Sequence, residues 1–351
     1  MNKTIETLAG DTEGVAYEIP VYRFAGSSPE APSAYLQAAL HAGELPGVVA
    51  IDQLMPELRR ADAEGRIRGN ITIVPAANPV GRAQYHFGEV QGRFHLGTRT
   101  NFNRDFPLLD TPDASTLKSG RKATVDRRLK ERLIQLSMGH DIVLDLHCDD
   151  EGVAYLYVPG VLWPAMQDVA AAMGVAAVIL WDGASGSSFD EASLHPWLKV
   201  PAEKARLDRR VVTTVEYRGI HDVERAYAEE DGEGLYRVLV ARGVVEDASI
   251  APSAAFAGLV SPIENTELIQ APRAGAILFD VKPGDRVAKG QRLATIVHSP
   301  GEVESGVEIL APQAGYVFTR RSHRSVRVGD DVIKLAGDAP SEVAKSGALE
   351  D

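Results

Sequence analysis

The run Ile142-Val143-Leu144-Asp145-Leu146 limits the possible folds more than any other stretch of the chain. It is apolar at alternate positions of both parities, broken only by Asp145, and a near-continuous apolar strand of this kind is buried on both faces. Both faces therefore need cover, and the flanking sequence offers it. Pro46 opens a helical stretch in which Val48, Ile51, Leu54, Met55 and Leu58 recur at helical spacing. Val125, Leu129, Leu133 and Leu136 give a second helix one apolar face. Further helices are expected over 163–173 and 222–242, and further strands over 15–24, 34–40, 70–75, 153–158, 175–180 and 211–217. Strands alternating with helices imply an α/β fold with a mostly parallel sheet. Ligand sites in such sheets lie beyond the carboxyl ends of the strands. Residues 77–114 are irregular and rich in Gly, Arg, Asn and Pro; a loop that long inside a compact domain is functional or disordered.

The pattern changes after about residue 245. The remaining hundred or so residues show no convincing helix but do carry an internal repeat. APRAGAILFDVKPGDRV begins at Ala271, and APQAGYVFTRRSHRSVRVGDD begins at Ala311. Each copy has Ala-Pro-x-x-Gly, an apolar strand and a closing Gly-Asp turn, the sequence form of a two-fold β-sandwich. The expected division is a catalytic α/β domain over 1–245, a β domain over 246–337 and a fraying tail over 338–351.

The chain has 351 residues, with 49 Asp and Glu against 37 Lys and Arg, for a net charge of −12. A general nucleic-acid binder would show a basic excess. The longest apolar run, Val169 to Trp181, is far short of the roughly 20 residues that span a bilayer. Residues 1–14 mix charges without an apolar core, so no signal peptide is expected. With one cysteine, Cys148, an intrachain disulfide is excluded. A cytoplasmic protein without a nucleic-acid or membrane partner is expected, and homo-oligomerisation stays open.

His41-Ala-Gly-Glu44 follows a strand, and a turn there would bring both side chains to one metal ion. Catalytic zinc sites take three ligands from His, Glu and Asp and keep a fourth position for water. In isolation the motif reads more readily as a surface turn. Its weight grows with Asp145-Leu146-His147, where alternation puts Asp145 and His147 on one strand face. A carboxylate so placed can fix a metal-bound imidazole, although a buried histidine with a satisfied ring would look the same. Glu216 ends the apolar strand Thr213-Thr214-Val215, where an unpaired carboxylate is costly. It could be a further ligand, but a general base acting on activated water fits better, because His41, Glu44 and His147 already make three. In the long loop, Asn101-Phe-Asn103-Arg104-Asp105 lies near Arg82, Arg93 and Arg99. These arginines could clamp a carboxylate or simply brace a solvated loop.

In this order, His41-x-x-Glu44, Asn103-Arg104, Asp145-x-His147 and Glu216 resemble the succinylglutamate desuccinylase/aspartoacylase family of the zinc carboxypeptidase superfamily. The resemblance covers about residues 15–245, and many members also carry a C-terminal β domain. It implies a carboxypeptidase-like α/β/α three-layer domain and one Zn2+ per chain on His41, Glu44 and His147. It further implies amide hydrolysis through Glu216, with Asn103 and Arg104 holding a substrate carboxylate. A carbonyl-polarising arginine is also implied; Arg93 is the candidate and Arg99 the alternative. The repeat resembles the biotinyl/lipoyl-like barrel-sandwich hybrid, but Val297 to Leu310 contains no lysine. A lid, packing or assembly role is therefore expected in place of a covalent carrier.

Together these features point to a zinc hydrolase that deacylates a small N-acyl amino acid. The alternatives are a metallocarboxypeptidase acting on short peptides and a metal-free binding or scaffold protein. Asp149, Asp150 and Glu151, which follow His147, are expected to repel an anionic substrate side chain and favour a neutral or cationic one, with Asp190 and Glu191 as further acids. The competing reading has these acids capping a turn or bonding nearby arginines. Cys148 is read as packing.

Overall fold

The computed structural model describes residues 1–118, 122–183 and 186–342. Its largest sheet contains the strands β1 (Asn2–Ala9), β2 (Ala16–Phe24), β3 (Ala34–Ala38) and β4 (Ile71–Val74). After a small hairpin, β5 (Tyr85–His86) and β6 (Glu89–Val90), come β7 (Ile142–Asp149) and the two-residue β8 (Glu151–Gly152). β9 (Tyr155–Pro159), β10 (Ala177–Trp181), β11 (Val211–Gly219) and β12 (Leu259–Pro262) follow. The nine-stranded order is β1-β2-β4-β3-β7-β11-β9-β10-β12. Five of its eight pairings are parallel, including β3–β7 and β7–β11. As its composition requires, β7 is central, with Ile142 to Cys148 all buried.

The helices are α1 (Pro46–Ala63), α2 (Pro79–Arg82), α3 (Val125–Ser137), α4 (Trp163–Met173), α5 (Phe189–Leu194), α6 (Ala202–Ala205) and α7 (Arg225–Ala241). α1 packs on the face of β7 that carries Leu146. At Gly47 even a Cβ would come within 2.6 Å of the Leu146 Cβ, so glycine permits the approach. α5 lies over the opposite face, where Asp190 bonds the side chain of Thr214 on β11. Both faces of the central strands are covered.

The expected strands and long helices are present with ends shifted by a few residues. Apart from the two- to four-residue pieces α2, β5, β6, β8 and α6, three elements that shape the fold escape the sequence reading. β1 is a half-exposed edge strand whose alternation is masked by polar side chains; it pairs in full with β2. α5 is a six-residue helix following a Gly/Ser stretch, too short to show periodicity. β12, from the segment assigned to the β region, closes the far edge of the large sheet against β10.

The later strands are β13 (Thr266–Gln270), β14 (Gly275–Phe279), β15 (Arg286–Val287), β16 (Arg292–Val297), β17 (Gly306–Leu310), β18 (Gly315–Arg320), β19 (Ser325–Val326) and β20 (Asp331–Gly337). They form two sheets, β13-β20-β18-β15 and β17-β16-β14-β19. The repeat is interlocked: β14 of the first copy pairs with β19 of the second, and β15 of the first with β18 of the second. These sheets enclose a core of their own around Leu293, Ile296, Val317 and Leu335. A smaller cluster joins them to the large sheet, with Tyr155 and Phe318 stacked edge to face at 5.2 Å. β8 also crosses over, pairing Glu151 and Gly152 with Arg320 and Thr319 of β18. Of the expected tail, residues 343–351 lie outside the described residues. Ser341, just before them, is held by Glu264 and Glu267.

Candidate metal centre and substrate pocket

The adjacent parallel strands β3, β7 and β11 end on one side of the sheet. Their register sets Gln37 beside Asp145 and Glu216 beside His147. Beyond β3 the chain turns at once. Ala39 takes a left-handed φ of 55°, and the Glu44 N–H donates to the His41 carbonyl at 3.0 Å. The turn is backed by the long loop, where the Gly92 carbonyl accepts from the Ala42 N–H. A Cβ on Gly92 would lie 2.6 Å from the Gly43 nitrogen, so only glycine fits there.

This turn faces Glu44 toward both imidazoles. His41 Nδ1 lies 2.8 Å from one carboxylate oxygen and His147 Nδ1 2.8 Å from the other. One donor atom from each residue falls within 4.8 Å of the others, and all three residues are buried. The outer ring nitrogens are occupied elsewhere. His147 Nε2 lies 2.9 Å from Asp145, which also accepts from Gln37, which in turn accepts from the Tyr35 hydroxyl. A carboxylate only accepts, so the Nε2 proton points to Asp145 and Nδ1 faces the cluster. His41 Nε2 lies 2.9 Å from Asn101 Oδ1; the Asn103 N–H donates to the same oxygen, which fixes the orientation of the amide. Two imidazoles and a carboxylate, with both rings braced from behind, are a donor set that fits a divalent transition ion.

Burial and charge set the protonation of the cluster. Burial keeps His41 below the usual histidine range, hence neutral. Burial alone would raise the Glu44 carboxyl, but the two imidazoles outweigh it and hold the acid ionised. Burial alone would likewise lower His147, but the Asp145 and Glu44 carboxylates outweigh it and raise the group well above the usual range. Cys148 is buried, its thiol is pushed up by that burial and by surrounding acids, and it is no nucleophile.

An inner pocket of about 90 Å³ opens from the cluster and is lined by Arg93, Asn103, Arg104, Asp190, Thr214 and Glu216. Arg93 Nη1 lies 3.4 Å from His41 Nδ1 and 3.6 Å from Glu44. Arg82 and Arg99 are exposed and line neither cavity, so of the four loop arginines only Arg93 and Arg104 reach the site. The Asn103 carbonyl oxygen accepts from the Phe189 N–H at 2.8 Å, tying the loop to α5. An outer cleft of about 630 Å³ leads from the same cluster to Arg320, Arg321 and Lys334 of the later sheets.

The acids after His147 do not act as expected. Asp149 bonds Lys334 at 2.6 Å and the Tyr155 hydroxyl, Asp150 accepts from Ser322, and Glu151 bonds both Arg320 and Arg324 at 2.6 Å. The run is a docking strip for the later sheets, and its charge is met by cations about 170–185 positions away. Glu191 is turned away from the pocket, accepting from the Ser187 N–H. Asp190 does line it. Asn101 and Gln37 gained no role from the sequence; only a strand register linking Gln37 to Asp145 could have shown theirs.

Residues 30–200 match the family model for the succinylglutamate desuccinylase/aspartoacylase catalytic domain. An N-alpha-acetyl-L-2,4-diaminobutyric acid deacetylase from Halomonas elongata is 26% identical over 316 residues, covering 88% of this chain and 82% of that protein. Among solved structures, a succinylglutamate desuccinylase/aspartoacylase family protein from Shewanella amazonensis SB2B superposes with a TM-score of 0.83 at 26% identity, covering 96% of this chain and 99% of that one. A second, from Shewanella frigidimarina NCIMB 400, gives 0.82 at 25% identity, covering 96% and 97%.

Proposed function

The chain belongs to the succinylglutamate desuccinylase/aspartoacylase family, and from that membership we propose that it is a zinc-dependent hydrolase removing the acyl group from a small N-acyl amino acid. The observation that carries the reading is the buried His41, Glu44 and His147 cluster with Glu216 and Arg104 in the adjoining pocket. In this reading His41, Glu44 and His147 hold one Zn2+ per chain, and the ion supplies Lewis-acid polarisation and a lowered water pKa. Asp145, steadied by Gln37, orients the His147 ring. Arg104 takes the substrate carboxylate, and Asn103 keeps the Arg104 segment against α5. Arg93, within 4 Å of Glu44, would stabilise the negative charge that develops on the carbonyl oxygen. Glu216 accepts the proton of the attacking water and passes it to the leaving amine.

The carboxypeptidase-like layering of residues 1–245 and the barrel-sandwich form of 246–337, serving as a cover and not as a carrier, belong to the same reading, as does a cytoplasmic location. The relative's named substrate, an N-acetylated diamino acid, supports deacylation. An inner pocket of about 90 Å³ suits a single amino acid better than a peptide. The decisive assay is a panel of N-acyl amino acids and dipeptides, each run with and without chelator. Chelator-sensitive release of free amino acid is expected, and dipeptide cleavage without deacylation would favour a carboxypeptidase.

A further inference from the structure

Asp190 is buried, lines the inner pocket and forms no ion pair with any described residue. Its carboxylate accepts from the Ser188 hydroxyl, from the Glu191 N–H at 2.9 Å and from the side chain of Thr214. Three neutral donors fill most of the roughly four acceptor positions of a carboxylate and supply no positive charge. Among charged groups, the main influence on it is another acid, Asp145, which raises it further. A buried carboxylate without a cation is costly, and Asp149 and Glu151, whose cations are built in, show how this chain meets that cost elsewhere. The missing charge has one place to come from, the pocket that Asp190 shares with Arg104.

We propose that Asp190 is a specificity residue that receives the side-chain ammonium of a short basic amino acid whose carboxylate lies on Arg104. The inference rests on the deacylase reading of the pocket and names its substrate class: Nα-acyl amino acids with a short cationic side chain. The wall is built for placement. The Asp105 and Phe106 N–H groups donate to the Gly186 and Ser187 carbonyls, and Phe189 donates to Asn103, so the segments bearing Arg104 and Asp190 form one hydrogen-bonded unit. Thr214 lies two positions before Glu216 on β11, so their side chains share a strand face, with Asp190 one step farther from the strand end. Burial raises the Asp190 carboxyl above the usual range, and an arriving ammonium would reverse that shift.

The test compares binding of L-2,4-diaminobutyrate and L-2-aminobutyrate to the zinc-loaded protein by calorimetry. The probes share the α-amino and α-carboxylate groups, so their difference isolates the side-chain charge. Wild type is expected to bind the diamine at least about tenfold more tightly, a difference of about 1.4 kcal/mol. Asp190→Asn should bring the ratio of the two affinities close to one, with zinc content and the unfolding midpoint showing that the variant is folded. A chain-length series on wild type alone, from diaminopropionate to lysine, should peak at the short diamines because the pocket is small. Equal binding of the two probes by wild type, a flat length series, or a preference that survives Asp190→Asn would each overturn the proposal. If the diamine is preferred but no Nα-acetyl substrate is hydrolysed in a chelator-sensitive way, the cation site stands and the deacylase reading falls.

Discussion

In the proposed site, a proton and a metal ion would compete for the same lone pair of His147. Asp145 and Glu44 raise the affinity of this ring for a proton, so the protonated form persists to higher pH than in an ordinary histidine. Metal binding must displace that proton, and retained zinc should fall as pH drops, faster than for a site of unperturbed histidines; dialysis at stepped pH followed by elemental analysis measures it. His147→Ala should lose the metal outright. Asp145→Asn should weaken it by about 10–100-fold, the usual effect of losing a partner behind a ligand. Glu216→Gln should keep the metal and lose about 10²–10⁴ in kcat; loss of metal instead would make Glu216 a ligand. Arg104→Ala should raise KM strongly for substrates with a free α-carboxylate and much less for the matching amides, so an equal loss on both would assign Arg104 to the loop. His41, Glu44, Asp145, His147 and Glu216 could be grouped from sequence because each closes a strand or follows one within a few positions, whereas Arg104 was picked out only by the arginine-rich composition of the long loop. Asn101 and Gln37 were not, because they act through partners 60 and 108 positions away.

Among the elements, β8 shows how charge can mislead a reader of sequence. Asp149, Asp150 and Glu151 are adjacent to a candidate ligand, so they look like part of its chemistry. Pairing with β18 turns them toward Lys334, Ser322, Arg320 and Arg324 instead. The Lys334–Asp149 pair is 2.6 Å long with both side chains no more than 7% exposed. Removing one member of such a pair costs about 3–5 kcal/mol, whereas replacing both can be nearly neutral. Lys334→Met should therefore lower the unfolding midpoint clearly, and Lys334→Met with Asp149→Asn should recover much of the loss. The long helices and buried strands were legible from spacing alone. α5 was not, since six residues carry no readable period, yet it brings Asp190 into the pocket.

For the molecule as a whole, the chain crosses the division expected near residue 245 twice: β12 returns to the large sheet, and β8 reaches forward into the later one. The interlocked repeat also means that neither of its copies completes a sheet alone. The timing of synthesis then matters. Domains tend to fold as they emerge from the ribosome, amino-terminal part first. Asp149 and Glu151 emerge about 170–185 residues before their cations, so the nascent first half carries an uncompensated negative edge beside the His41, Glu44 and His147 cluster until β18 and β20 arrive. The same substitutions should accordingly have opposite signs at the two stages. Neutralising Asp149 and Glu151 as Asn and Gln should stabilise a chain ended after residue 262 and destabilise the full-length protein, as compared by denaturant midpoints. The His41, Glu44 and His147 cluster is thus assembled by the first half of the chain, and its mouth is finished only by strands that follow residue 315.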